Sequence, residues 1–423
     1  MDPSRQTVKL SAIKFDPKIY PRQKHDPALV QRYSACLDSI ESRENFISVG
    51  QDLRIVDGRH RQLAYQTASP NGREITVWMY PVSTDDDLQD LAIELNSEHG
   101  WQLTDGDKRS MAVALYTRQN RVPQAEIAGR LRVGINKVND WLSTILKREK
   151  EEREAKMWGM WLSCHDQQEI QTETGLSAGA VSEFLQKTSD SYCQKENELF
   201  RNFDPQVYTV WNFPKLTNET RVFGSIPQEV MDNLLYYFTK PFDVVFDPFG
   251  GGGMTIDRCQ ERLRRYYVSD LSPIPARQDE IRQWDITQGL PDDLPVPDLV
   301  FLDPPYWKQA AGKYSKKETD LGNVDLDRFL DVIAEITKAV KRKWNNSRPD
   351  GRLALIIGQW KNEGEYLDLP FLCYERIAKY LSLDVRIQVP YSTQVHGGNF
   401  VKMAKEKKEL LYLTRDLMVF KQG

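Results

Sequence analysis

Two short motifs carry the residues best suited to chemistry, and each ends an apolar run. Val244-Val245-Phe246-Asp247-Pro248-Phe249 leads into Gly250-Gly251-Gly252-Gly253-Met254-Thr255, and further on Asp298-Leu299-Val300-Phe301-Leu302 leads into Asp303-Pro304-Pro305-Tyr306. A β-branched run that stops at an acid and a proline is the pattern of a buried parallel strand whose C-terminal end opens into a ligand crevice. Glycines at such a point let backbone come close to a ligand, because no Cβ intrudes. The Asp303 carboxylate and Pro304 carbonyl form a pair of hydrogen-bond acceptors that two prolines stiffen, and Tyr306 offers a ring face beside them. Taken alone, the tetrapeptide is also compatible with a tight turn and the glycine run with a linker. Both motifs at strand ends within one α/β pattern point to a ligand site.

In this order and spacing, the two motifs resemble those of the S-adenosylmethionine-dependent amino-methyltransferases of DNA. The resemblance implies that Asp247, Pro248, Phe249, Gly251, Gly253 and Thr255 surround the cofactor S-adenosyl-L-methionine. Phe249 would wall the pocket and Thr255 would open the following helix. It also implies that Asp303, Pro304, Pro305 and Tyr306 are catalytic. An adenine N6 is a poor nucleophile, because its lone pair is delocalised into the ring. Two acceptors, each taking one N6 hydrogen, draw the nitrogen toward tetrahedral geometry and aim its lone pair at the sulfonium methyl. Tyr306 would stack on the extruded base. Positioning and preorganised electrostatics are then the main catalytic effects. The chain contains no Pro-Cys dipeptide, so the cytosine-C5 chemistry that needs such a nucleophile is excluded. The cytosine-N4 relatives usually carry Ser where this chain has Asp303, which favours adenine-N6.

Three further positions fit a nucleoside cofactor. Arg265 to Asp270 has the pattern of a second strand ending in an acid, and Asp270 there suits both ribose hydroxyls. A helix N-cap is the plain alternative, since Ser272-Pro273 follows. Trp284-Asp285 falls where the family places an acid near the cofactor adenine, and a turn Asp is the alternative for Asp285. Asn212, in Trp211-Asn212-Phe213, and Ser225-Ile226-Pro227-Gln228-Glu229 precede a helix predicted over Val230 to Phe238. They resemble the segment that closes over the methionine end of the cofactor. Core packing is the alternative for Trp211 and Phe213.

The whole chain bounds these expectations. Its 423 residues, 40% hydrophobic and 28% charged with mean hydropathy −0.58, suggest two or three soluble domains. No apolar run is long enough to span a bilayer. Met1 to Gln6 has no signal-peptide core, and a reducing cytoplasm is expected from the cysteine usage. The five cysteines, Cys36, Cys164, Cys193, Cys259 and Cys373, are scattered and form no CxxC pair, so neither a metal site nor a disulfide framework is expected. A net charge of −4 and a pI near 5.9 count mildly against a DNA binder, though one local face makes the phosphate contacts.

An α/β fold is expected: a Rossmann-like methyltransferase domain over residues 191–423, preceded by a small α+β domain over 1–100 and an all-α helix-turn-helix region over 101–190. The first region resembles the amino-terminal domain of ParB-like proteins. A strand over Val8 to Ile13, a helix over Pro27 to Ser42 and a strand over Leu53 to Val56 lead into Gly58-Arg59-His60-Arg61. In ParB relatives this turn binds a nucleotide triphosphate, and a glycine turn with helix amides and arginines is a sound anion site. The box here departs from the Gly-Glu-Arg-Arg of partitioning members, which leaves open whether its ligand is a nucleotide or DNA phosphate. A helix cap with solvated arginines is the alternative, and His60 is expected to pack or hydrogen-bond.

The second region shows two helix-turn-helix patterns. The first pairs Gln124 to Leu131 with Ile135 to Ile145, and the second pairs Gln167 to Ile170 with Ser177 to Leu185. Asn136, Lys137, Asn139, Ser177 and Ser182 are candidates for a DNA groove, although helical hairpins without DNA contact share the pattern. The charged run Lys147 to Glu154 is expected to be a solvated helix with i,i+4 pairs. In the third region a helix over Leu326 to Trp344, a strand over Leu353 to Gly358, a helix over Phe371 to Leu381 and strands over Val385 to Val389 and Leu410 to Leu413 are predicted. Lys308, Lys313, Lys316 and Lys317 follow the tetrapeptide. Ser392, His396, Gly397, Gly398, Asn399, Lys402, Lys405, Lys407 and Lys408 lie between the final strands, where the family approaches base and DNA backbone; a basic surface loop is the alternative. The partner implied is double-stranded DNA, with a nucleotide triphosphate at the first domain and a homodimer as further expectations. The competing function is a partition or regulatory protein whose methylase domain is inactive.

Overall fold

The structure, a computed structural model, describes residues 2–22, 24–69, 72–98, 103–193, 196–213, 226–310, 315–345, 347–362, 365–391 and 398–423. The chain divides into two units, Met1–Glu151 and Glu152–Gly423. In the first, β1 (Ser4–Lys9), β2 (Ile47–Val49), β3 (Ile55–Asp57) and β4 (Glu74–Met79) form a sheet in the order β1-β4-β2-β3. Only β2 and β4 pair in parallel. Helices α1 (Pro27–Ser34), α2 (Leu37–Ser42) and α3 (Arg59–Ala68) belong to this unit. Its core joins Leu37, Ile40, Ala64 and Tyr65 to Ile47, Val49, Ile55 and Val77.

Two boundaries differ from expectation. The helix over Pro27–Ser42 is broken at Ala35-Cys36, where Cys36 adopts φ −135°, ψ 32°. The first strand begins and ends earlier, and Leu10–Ala12 forms a 3-10 turn. That turn buries both Leu10 and Ile13, whose three-residue spacing suits its period.

Helix α4 (Asp85–Glu98) contributes Leu88, Leu91 and Ala92 to a core with Ile19, Val56 and Val82. α5 (Asp105–Thr117), α6 (Gln124–Arg130) and the first turns of α7 (Ile135–Leu162) share Met111, Leu115, Ile127, Leu131, Val138 and Leu142. α7 runs well past Ile145 because its far end is apolar again: Met157 and Leu162 are buried. The charged stretch between carries the Lys147–Glu151 i,i+4 pair at 3.8 Å.

In the second unit, α8 (Gln167–Thr174) opens on a capping box between Asp166 and Glu169 and stops at Gly175, which has φ +68°. α9 (Ala178–Cys193) follows, packing Val181 and Leu185 against Ile170 and Met157, and then α10 (Glu196–Leu199). After α11 (Gln228–Phe238) come β5 (Val244–Asp247), α12 (Met254–Glu261), β6 (Arg265–Asp270), β7 (Arg282–Gln283) and β8 (Leu299–Leu302). α13 (Leu326–Trp344), β9 (Arg352–Gly358), the ribbon of β10 (Trp360–Asn362) and β11 (Glu365–Leu367), α14 (Leu369–Ile377), β12 (Ser382–Pro390), α15 (Gly398–Lys407) and β13 (Thr414–Lys421) complete it.

Seven strands form one sheet in the order β12-β13-β9-β8-β5-β6-β7. β13 alone runs opposite to the other six strands. Alternate residues of each strand face opposite sides. Val245, Leu299 and Ala354 join the core of α11 and α12, whereas Phe246, Val300 and Leu353 join that of α13 and α14. This two-sided burial explains the near-continuous apolar runs in the sequence.

The final strand is a correction. It is Thr414–Lys421 rather than Leu410–Leu413, and it lies inside the sheet between β9 and β12. Leu417 to Phe420 are buried on both faces, whereas Leu410 is 83% exposed. The preceding segment, expected to be a loop, contains α15.

Candidate active site

The chain leaves β5 for β6 and β7 on one side, then returns to place β8 and β9 on the other. In such a sheet, the C-terminal ends of the two strands at the reversal border a crevice. β5 and β8 are those strands, and they deliver Asp247 and Asp303 to the same edge.

Asp247 is buried and binds its own loop. Its Oδ1 accepts from the Phe249 amide at 2.9 Å and its Oδ2 from the Thr255 hydroxyl at 2.5 Å. Burial lifts its carboxyl to about 7, against the pull of those two hydrogen bonds. The clasp ties the end of β5 to the first turn of α12 around the glycines. Gly251 and Gly253 take φ +48° and +82°, which favours glycine at both points. A Cβ on Gly250 would stand 2.7 Å from Val268 Cγ1, so that residue seats the loop on β6. A Cβ on Gly251 would meet only the Phe249 carbonyl oxygen, at 3.7 Å, so the space above it is open. Pro248 is buried and Phe249 half-buried beside this loop.

Asp270 sits against the same loop. Its Oδ2 accepts from the Gly251 amide at 3.0 Å and its Oδ1 from the Ser272 amide at 2.8 Å. Burial raises its pKa in spite of both bonds. Each carboxylate oxygen retains a further lone pair. No α-helix starts here; a 3-10 turn spans Pro275–Arg277. Asp285 caps another such turn, accepting from the Thr287 amide at 3.0 Å and hydroxyl at 2.7 Å. Burial pulls its pKa up, but hydrogen bonds from Thr287 and Thr319 outweigh it and leave the pKa low. Asn212 is exposed. Its neighbour Trp211 is buried, donates its amide to the Gln388 carbonyl at 2.9 Å and stacks on Tyr237 at 6.4 Å. Ser225 lies outside the described residues.

On the other side of the crevice Asp303 is half-buried at the end of β8. Burial lifts its carboxyl to about 7, Arg415 pulls it down and Asp247 pushes it up. Pro304 is buried, and Pro305 and Tyr306 are half-buried. The Tyr306 hydroxyl lies beside Asp303 and Arg415 and, among the described residues, has no partner at full hydrogen-bond geometry. Trp307 anchors the turn. Its Nε1 donates to the Val324 carbonyl at 2.9 Å, and its ring packs on Trp360 at 5.1 Å. Sequence reasoning passed over Trp307 and Arg415; the first was open to inspection as the residue directly after the tetrapeptide.

The other candidate residues lie on separate elements. Asn136, Lys137 and Asn139 are exposed at the start of α7, and Lys137 pairs with Asp105 at 2.7 Å. Ser177 caps α9, accepting from the Ala180 amide at 3.3 Å, and Ser182 is exposed on that helix. Lys402 and Lys405 are exposed on α15. Lys308 lies over the Trp307 ring and Lys317 donates to the Leu271 carbonyl. Ser392, His396, Gly397 and Lys313 lie outside the described residues.

Gly58, at φ +95°, starts α3. The buried Arg61 guanidinium is engaged by Asp57, by Asn45 and by the Phe46 carbonyl. His60 accepts from the Asp26 amide at 2.9 Å, and burial holds its pKa down. Arg59 lies over the Phe15 ring at 4.1 Å and donates its amide to the Tyr20 hydroxyl. Among the described residues no cluster of His, Cys, Asp or Glu is placed to hold a metal ion, and no helix is long and apolar enough to cross a membrane.

Residues 135–274 match the family model described as DNA methylase. The match is to part of the chain only. It takes in the glycine loop and Asp270 and ends before Asp303. No curated protein matches the chain. Among the solved structures similar to it are three, each with a low likeness. A type I restriction-modification methyltransferase subunit from Streptococcus thermophilus is 11% identical with TM-score 0.28, over 87% of this chain and 70% of that one. A precorrin-6y C5,15-methyltransferase from Geobacter metallireducens is 16% identical with TM-score 0.28, over 52% and 100%. The chromosome-partitioning protein ParB from Caulobacter crescentus, complexed with CTP-γ-S, is 15% identical with TM-score 0.19, over 43% and 99%. Scores this low carry no inference about fold or function.

Proposed function

We propose that the second unit is a DNA amino-methyltransferase that moves a methyl group from S-adenosyl-L-methionine to adenine N6. The observation that carries this reading is the side-by-side placement of the glycine loop after β5 and the Asp303–Tyr306 turn after β8. The methylase match over residues 135–274 supports a DNA substrate.

S-adenosyl-L-methionine is the methyl donor. The residues present fit it: open space above Gly251, left-handed turns at Gly251 and Gly253, and the Asp270 carboxylate within the same loop. Phe249 would wall the pocket, Asp270 would accept from the ribose hydroxyls and Asp285 would lie toward the adenine. When bound, the donor supplies a sulfonium methyl; transfer makes the N–C bond, breaks the C–S bond with its electron pair going to sulfur, and releases one amino proton.

The chain's own residues do the rest. Asp303 and the Pro304 carbonyl each accept one hydrogen of the extruded amino group and turn its lone pair out of ring conjugation. Pro304 and Pro305 keep the two acceptors fixed, and the Tyr306 ring stacks on the base. A carboxyl lifted to about 7 is also matched to taking the released proton near neutrality. Asp at position 303, where cytosine-N4 relatives usually carry Ser, favours adenine. Candidates for contact with duplex DNA are, in the first unit, Asn136, Lys137 and Asn139, and separately, in the second, Ser177, Ser182, Lys402 and Lys405. A phosphate at the Gly58–Arg61 turn would be met by Arg59, which is held by Gln62 and the Phe15 ring, because Arg61 is already paired with Asp57.

The test is to incubate the full chain with isotopically labelled donor and duplex DNA of varied sequence, then digest and identify nucleosides by mass spectrometry. N6-methyladenine is the expected product. N4-methylcytosine alone would reassign the target base. No methylated nucleoside on any duplex would leave a DNA-binding protein with an inactive methylase domain.

A further inference from the structure

Because β13 runs against the parallel strands, its N-terminal residues arrive where theirs end. Arg415 pairs in register with Gly358, the final residue of β9. Gly358 marks the centre of a tight cluster. A Cβ there would lie 2.5 Å from the Tyr391 hydroxyl and 3.6 Å from both Arg415 Cγ and Tyr306 Cε2. The Arg415 guanidinium lies over the Tyr391 ring, 4.7 Å from its centroid. Arg415 is only 5% exposed, and its Nε has no hydrogen-bond partner among the described residues.

A cation buried this deeply needs a counter-charge. The adjacent carboxylate, Asp416, is taken by Arg386 at 2.6 Å and by Gln388. Asp247 is taken by Thr255 and Phe249. Among the described residues, the carboxylate left to act on Arg415 is Asp303. We propose that Arg415 is a positioning residue for methyl transfer: its guanidinium, seated on Tyr391 behind the Asp303–Tyr306 turn, holds the Asp303 carboxylate as a charged hydrogen-bond acceptor.

The groups facing Asp303 are Arg415 from β13, Asp247 from β5 and Tyr306 from its own turn, with Tyr391 joining from the end of β12. Burial and Asp247 favour the protonated form of Asp303, and Arg415, with a smaller pull from Tyr306, opposes both. Without the arginine, Asp303 would stay protonated to higher pH. One of its two oxygens would then carry a proton and cease to be an acceptor.

The proposal rests on the methyltransferase reading, so its test has one readout that needs no turnover. The carboxyl infrared band of Asp303, identified by its loss in Asp303→Asn, is titrated in the full chain. In Arg415→Gln the midpoint should rise by about one to three units, the size expected on losing an opposite charge close by. Arg415→Lys, which keeps the charge, should restore most of the wild-type midpoint. The acid limb of the rate of DNA methylation should move with it, so that Arg415→Gln loses activity at pH 7 and regains it at higher pH. A structural role alone would lower the rate equally at every pH. An unchanged midpoint in Arg415→Gln overturns the proposal. If that variant does not fold, Tyr391→Leu decides, because removing the ring beneath the guanidinium should also raise the midpoint, and a wild-type value there overturns it. A shifted band with no methylated product in any protein would keep the Arg415–Asp303 coupling and reject the methyltransferase reading.

Discussion

At Asp303 two acceptors and one ring do most of the work proposed, so single substitutions should separate them. Asp303→Ala should cost at least about 100- to 1000-fold in rate, the usual loss for one preorganised polar group, while calorimetry finds donor binding unchanged. Tyr306→Phe should keep most activity, since among the described residues the hydroxyl has no partner at full geometry, whereas Tyr306→Ala should weaken handling of the base. Asp247 makes a separate prediction about stability. Its carboxyl rises from an ordinary 3.8 to about 7 because it is buried. The native state therefore binds more protons than the unfolded state between these values, and stability falls as pH rises through that window. The contribution is full below pH 4 and lost above pH 7. Asp247→Asn should flatten the slope in denaturant titrations run across this range; an unchanged slope would place Asp247 outside the effect. Asp303 shifts in the same direction, so part of the slope should remain.

The glycine loop shows how neighbouring residues of one element serve different ends. Gly250→Ala would drive a methyl to 2.7 Å from Val268 Cγ1, so its loss should appear in the melting temperature. Gly251→Ala meets no side chain but holds φ +48°, which costs a Cβ-bearing residue about 1–2 kcal/mol. Its loss should appear at least as strongly in donor affinity, because the methyl enters the open space above the loop. Thermal melts and calorimetry on both variants test the contrast. The resemblance to the family pattern Asp-Pro-Phe-x-Gly-x-Gly marks Gly251 and Gly253, the two glycines of this loop that are left-handed in the fold. β5, β8, β9 and α13 were legible for a related reason: each has one apolar pattern and a clear stop. Leu410–Leu413 misled because it is as apolar as Leu417–Phe420, and only pairing with β9 and β12 separates them. Arg415 was invisible for the same cause. Its place beside Asp303 follows from the reversed direction of β13, which no local pattern around residue 415 announces.

Over the whole molecule, a net charge of −4 means that any DNA-binding face is local. The logarithm of the affinity for duplex DNA should fall linearly with log salt, and replacing Lys402 and Lys405 with Gln should reduce the slope by roughly one for each phosphate no longer neutralised. Fluorescence anisotropy at several salt concentrations measures this, and an unchanged slope would remove α15 from the DNA surface. The position of β13 has another consequence, which concerns synthesis. A ribosome makes β12 before β13, yet β13 fills the place between β9 and β12. Until residues 414–421 emerge, β9 keeps an open edge, and of its ladder partners in the finished sheet β12 has only the bridge between Val210 and Gln388. An unpaired edge of that kind invites pairing with another nascent chain. The nascent protein should therefore be most prone to aggregate, and most dependent on chaperones, during the interval between translation of these two strands.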